Sequence, residues 1–190
     1  MKHVILTIVL LLASGLVIAQ TKMSDQLSKT TKMNAQSKIY FAGGCFWGTE
    51  HFMKQINGVT STQVGYANGK TSIKNPTYEQ VCNDNTGFAE TVEVSYDPQQ
   101  ADLKLLLELY FKTIDPTSLN RQGNDRGSQY RTGIYYTNAA DLPIIKEAIE
   151  TLAKKYSKPI VVEVEPLVNF YPAEEYHQDY YKKNPFRYKA

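Results

Sequence analysis

Apolar and polar positions alternate most plainly over residues 88–96. Phe88, Glu90, Val92, Val94 and Tyr96 share one parity, and Ala89, Thr91, Glu93, Ser95 and Asp97 the other. A period of two predicts a strand with the first set toward a core and the second toward water. Helical spacing appears three times. Over 45–56 it joins Cys45, Thr49, Phe52, Met53 and Ile56, and Asn57-Gly58 supplies a glycine stop. From about Asp102 it joins Leu103, Leu106, Leu107, Tyr110 and Ile114, ending at Asp115-Pro116. After Asp141, read as a cap with Pro143 in the first turn, it joins Ile145, Ala148, Ile149, Leu152 and Tyr156. Further strands are expected over 39–42, 60–66, 133–137 and 159–164. Loops are expected over 67–76 and 116–132, the second being long and polar enough to suggest a working role. A last short helix is expected to start at Pro172 and carry Tyr176, His177, Tyr180 and Tyr181. Strands and helices interleave, and several strands can pair antiparallel. The fold class is therefore α+β, a ferredoxin-like mixed sheet with helices packed on it.

The N-terminus follows another logic. Lys2 and His3 precede an apolar run over 4–17, and Val17-Ile18-Ala19 places small residues ahead of Gln20. This is the pattern of a secretory signal over 1–19, cut after Ala19, and the run falls short of the ~20 residues of a spanning helix. Residues 20–37 are polar and without period, a flexible linker, so the folded domain is residues 38–190. The expectation is an exported protein, periplasmic or secreted, or membrane-tethered where the signal is retained.

Composition narrows the classes. The chain has 190 residues, 42% of them hydrophobic, which suffices for one core. Its formal net charge of +2, with 21 basic against 19 acidic residues, offers no electrostatic footprint for nucleic acid. Two cysteines 37 apart and scattered histidines match no zinc spacing, so no metal is expected.

Two residues carry the chemistry. Cys45 follows a strand and two glycines and begins a helix, where the macrodipole and free N–H groups favour thiolate over thiol. Phe46 and Trp47 behind it can be core or can line an apolar pocket. Glu90, by parity, is a carboxyl on the apolar side of its strand. Burial would raise its pKa and keep it a proton donor, unless, two residues from the strand start, it escapes to water. Glu93, of the other parity, is given no role. A Cys–His hydrolase is the competing enzyme class. His51, six steps of about 100° from Cys45, is poorly placed as a base, whereas His177 could arrive by folding. A third reading is an exported binding module stapled by a Cys45–Cys82 disulfide.

The segment Gly43-Gly-Cys-Phe-Trp-Gly48 resembles the signature of the A-type peptide methionine sulfoxide reductases. The similarity continues through Gly65-Tyr66, Asn75-Pro-Thr-Tyr78, Val81-Cys82, Thr86-Gly87, Ala89-Glu90, Tyr96-Asp97-Pro98, Asp115-Pro116, Arg121-Gln-Gly-Asn-Asp125 and Ser128-Gln-Tyr130-Arg131. Phe170-Tyr171, Ala173-Glu174, Tyr176-His-Gln and Asn184-Pro185 complete it. The resemblance implies a two-layer α/β sandwich and thiol-dependent reduction of methionine S-sulfoxide, free or in peptides and proteins, as oxidative repair. It implies Cys45 as nucleophile, Glu90 as acid, and Tyr78 and Tyr130 as phenols on the sulfoxide oxygen. Phe46 and Trp47 would hold the substrate methyl group, and Asp125 would be a polar residue of the site. No cofactor is bound; electrons come from an external thiol donor, thioredoxin-like or other. The partners are sulfoxide-containing proteins and peptides and that reductant, and the chain is expected to be a monomer. The chain ends without a cysteine, unlike many relatives that carry resolving cysteines there. This implies a one-catalytic-cysteine enzyme, with Cys82 as resolver the runner-up.

Overall fold

A computed structural model describes residues 36–83 and 85–187. The expected signal over 1–19 and most of the linker lie outside the described residues. The described chain opens with β1 (Ser37–Gly43), α1 (Phe46–Met53), β2 (Val59–Ala67), α2 (Tyr78–Asn83) and β3 (Ala89–Tyr96). It continues with α3 (Leu103–Phe111), the small hairpin β4 (Arg121–Gln122) and β5 (Asp125–Arg126), and β6 (Thr132–Tyr136). It ends with α4 (Leu142–Ala153), β7 (Glu163–Pro166), β8 (Phe170–Pro172) and the one-turn α5 (Tyr180–Lys183). No helix among the described residues is long and apolar enough to cross a membrane.

Six strands form one mixed sheet in the order β7-β6-β1-β3-β2-β8, so the first strand lies inside it. All pairings are antiparallel except β6 with β7. The α+β expectation holds. One face packs against the helices: Ile39, Phe41, Val64, Val92, Val94 and Ile134 meet Met53, Leu106, Leu107, Tyr110 and Ile145 in one apolar cluster. Asp102 caps α3 as its sequence suggests, its side chain accepting the N–H of Leu105 at 2.8 Å.

The other face is not wet. Ala89, Thr91 and Ser95 are buried, although their parity predicts solvent. The strand is interior, and the segment carrying Leu167 and Phe170 covers a cluster of Tyr40, Ala42, Ala67, Ala89 and Tyr135. Small residues permit the approach; a Cβ on Gly65 would lie 2.5 Å from the Phe170 ring. Glu93 is also occupied, accepting the Tyr40 phenol and the Lys38 ammonium, both at 2.7 Å.

Other boundaries move. The first helix is shorter than 45–56 and buries Glu50 along with Phe46, Thr49 and Met53. Asp141 makes no side-chain cap; Asn138 instead accepts the Ala140 N–H at the 3₁₀ turn Ala139–Asp141 that leads into α4. The strand expected over 159–164 is displaced: β7 begins only at Glu163 and runs to Pro166. Pro172 ends β8 rather than starting a helix, and Tyr176 and His177 lie in the turn before α5.

Candidate active site

The site is assembled at the β1–α1 junction. β1 ends at Gly43, and Gly44 turns the chain with φ +78°. That value favours glycine, and a Cβ there would meet the Gln122 Cβ at 2.6 Å. Gln122 is fixed from the other side, accepting the Asp115 N–H at 2.8 Å and donating to the Asp115 carbonyl at 2.9 Å. The long polar loop therefore folds down over Gly44 as the β4–β5 hairpin, which carries Asp125.

Cys45 is the N-cap of α1 and is partly exposed. Its thiol makes no capping hydrogen bond, although the backbone N–H groups of Trp47 and Gly48 in the first turn favour its anion. Yet the expected acidic thiol is not what this setting gives. Burial pushes Cys45 up to about 12, Glu90 adds to the rise and Asp125 adds less; the two N–H groups oppose them without prevailing. Desolvation and a neighbouring carboxylate outweigh the dipole. Alkylation of Cys45 by iodoacetamide, followed in a Cys82→Ser background, should therefore still accelerate with pH above the ordinary thiol value of 9.0. A rate that levels off below about pH 7 would contradict this.

Glu90 is 1% exposed, on the core side of β3, opposite Tyr66 of β2. Its Oε2 accepts the backbone N–H of Phe46 at 3.0 Å, which holds the carboxyl beside the residue that follows Cys45. Burial raises its pKa to about 8 against the lowering effect of that hydrogen bond, with Asp125 adding a smaller rise. At neutral pH the carboxyl is mostly protonated. The alternative of an escape to water does not occur.

Tyr78 is not in a loop; it opens the short helix α2. Its phenol lies near that of Tyr130, at the end of a 3₁₀ turn (Ser128–Tyr130), and each influences the other's ionisation. Burial raises both, Tyr130 to about 12, and nearby Glu90 raises each further. Both remain neutral donors. The Cys82 thiol is within hydrogen-bond reach of Tyr78 and Gln129 and is raised by burial. Cys45 and Cys82 are both free, which removes the stapled module.

Phe46 is buried against Tyr66 and His177, with ring centroids 6.0 and 5.1 Å away. Trp47 is half-buried. It donates its indole N–H to His177 Nδ1 at 3.1 Å and lies flat on Tyr180, with 3.6 Å between centroids and 6° between planes. His177 and Tyr180 are the residues that sequence reasoning missed here. Both stand on the expected last helix, but spacing along the chain gives no sign that they would close on Trp47. His177 is buried, its pKa lowered by desolvation, and its Nδ1 serves Trp47. The geometry does not favour a Cys–His pair. His51 packs edge-on to Tyr181 at 5.9 Å. Among the described residues no group of three or more His, Cys, Asp or Glu side chains could hold a metal ion.

The arrangement combines a half-exposed thiol, a neutral buried carboxyl, two neutral phenols and an aromatic wall. It can attack an electrophile, protonate it and hold an apolar substituent.

The family model described as peptide methionine sulfoxide reductase matches residues 37–190. A curated relative, peptide methionine sulfoxide reductase MsrA of Lachnoclostridium phytofermentans, is 62% identical over 150 residues, 79% of this chain and 89% of that protein. Among solved structures, Mxr1 from Saccharomyces cerevisiae in reduced form matches with a TM-score of 0.77 and 41% identity, covering 81% of this chain and 88% of that one. Mxr1 in complex with Trx2 matches with a TM-score of 0.55 and 32% identity, over 76% of this chain and 84% of that one.

Proposed function

The chain belongs to the peptide methionine sulfoxide reductase family and is an oxidoreductase acting on peptide methionine sulfoxide; on that premise we propose how its residues carry the reaction and where. The single observation that carries the mechanism is the contact of Glu90, neutral and buried, with the N–H of Phe46 at 3.0 Å, next to the nucleophile.

A sulfoxide sulfur is a poor electrophile until its oxygen takes a proton. Glu90 donates that proton while the Cys45 sulfur attacks, and the phenols of Tyr78 and Tyr130 hydrogen-bond the same oxygen. The attack forms a bond between Cys45 Sγ and the substrate sulfur; that bond and the substrate sulfur–oxygen bond then break as the hydroxyl passes to Sγ, and methionine leaves. The substrate sulfur is reduced by two electrons, and Cys45 is oxidised to sulfenic acid. The Glu90 carboxylate left behind is positioned to receive the thiol proton, so a thiol with a high pKa suffices. Phe46 and Trp47 enclose the substrate methyl group, and Asp125 stands at the rim. With the oxygen fixed on one side and the methyl on the other, one epimer alone is accepted, and the family resemblance implies that it is the S epimer.

A thiol outside the chain then attacks the sulfenic acid, releases water and, through disulfide exchange, restores Cys45. The relative seen in complex with Trx2 supports a thioredoxin-like donor. Cys82→Ser should retain turnover with such a donor to within about twofold, measured as methionine release from an S-sulfoxide peptide. Loss of turnover would make Cys82 the resolving thiol.

The signal-like residues 1–19 extend the proposal to repair outside the cytoplasm. N-terminal sequencing of the mature protein should begin at Gln20; a chain starting at Met1 in the cytoplasmic fraction rejects that location.

A further inference from the structure

Glu50 is 2% exposed, yet the reaction above has no use for it. Its carboxylate is fully engaged. Thr62 donates its hydroxyl to Oε1 at 3.2 Å, Lys54 pairs with Oε1 at 3.2 Å, and the backbone N–H of Asp179 donates to Oε2 at 3.0 Å. Lys54 also bonds the Asp179 carboxylate, so the three side chains close a ring across α1 and the start of α5. Asp179 has φ +57°, in the left-handed region that aspartate enters more readily than most residues other than glycine. The buried carboxylate holds that turn from outside through a charge-assisted hydrogen bond to the Asp179 N–H. The next residue is Tyr180, the ring stacked on Trp47. Upstream, Gln178 accepts the Val64 N–H at 3.0 Å and donates to the Val64 carbonyl at 2.9 Å, leaving the Asp179 turn as the joint between a tethered segment and the tyrosine.

We propose that Glu50 is a positioning residue for sulfoxide reduction: it locks the Asp179 turn so that Tyr180 stays flat on Trp47 and the indole keeps its place as the wall of the methyl pocket. The inference rests on the reading of Trp47 given above. It assigns a role to a carboxylate that touches no substrate and acts through two intermediates, Asp179 and Tyr180. The loss should appear in substrate binding more than in the proton transfer, because Glu90, Cys45 and the phenols have their own anchors.

The chain has one tryptophan, so its intrinsic emission reports Trp47 alone. The experiment compares wild type, Glu50→Ala, Tyr180→Ala and the double variant. It reads KM and kcat on an S-sulfoxide peptide, and Trp emission with acrylamide quenching. Glu50→Ala should raise KM about tenfold, a loss of about 1.4 kcal/mol, with kcat within about threefold. Emission should shift to the red and become more quenchable as the indole unstacks. In the Tyr180→Ala background the same substitution should add nothing, because the path is already cut. If Glu50→Ala does not fold, Glu50→Gln carries the same reading with a smaller rise in KM, since an amide oxygen still accepts the Asp179 N–H. Unchanged KM and emission in a folded Glu50 variant, or additive effects in the double variant, overturn the proposal. Wild-type protein inert toward sulfoxide would instead sink the functional reading, and the emission comparison, which needs no turnover, still decides the role of Glu50.

Discussion

Glu90→Gln is expected to lower kcat/KM by about 10²–10⁴, the range for a placed general acid. It should also remove the fall in activity expected of wild type as pH rises through about 8, where Glu90 loses its proton. The amide can still accept the Phe46 N–H, so geometry is kept and only the proton is lost. Stability should move the opposite way. The folded pKa lies above the ordinary value of 4.5, so the folded state holds its proton more tightly than the unfolded one. The raised pKa therefore contributes stability that is complete below about 4.5 and is lost as pH rises through about 8. Glutamine has no charge to desolvate, and the variant should be more stable than wild type at pH 7 and above by roughly 1–3 kcal/mol. Urea unfolding at several pH values checks this. A variant that is inactive and also less stable at pH 8 would mean that Glu90 serves the fold instead of the reaction.

The paired phenols give the second large effect. Either Tyr78→Phe or Tyr130→Phe should reduce kcat about 10²-fold, as expected for removing one donor from a developing oxyanion. The double variant should fall short of the product of the single losses, because the two hydroxyls influence each other and serve the same oxygen. Binding should change little, since the methyl pocket is built from other residues. Single-turnover methionine release separates the two terms; a rise in KM with kcat preserved would place the phenols in binding alone.

Much of this was legible in the chain, for identifiable reasons. Period two over 88–96 placed Glu90 toward the core, and a helix started by Gly-Gly-Cys placed Cys45 at the head of α1. The acidity of that nucleophile was misjudged, because desolvation and the charge of Glu90 come from tertiary neighbours that helix-end reasoning omits. The opposite face of β3 was misjudged for a similar reason: its cover, Phe170, comes from about eighty residues downstream. Tyr78 lies on a six-residue helix, too short to show a period, so only resemblance singled it out. Glu50 reads as one more charged helix residue until Asp179 N–H, Thr62 and Lys54 are seen to neutralise it.

The order of the sheet has a consequence for how the molecule is made. β1 ends at the nucleophile's turn, yet its two neighbours are β3 and β6, and its sheet is finished at one edge by β8. During vectorial synthesis the thiol leaves the ribosome more than a hundred residues before Tyr180 can cover Trp47. Contacts so distant along the chain raise the contact order and slow folding, so the reactive sulfur passes a period as an unprotected nascent-chain group.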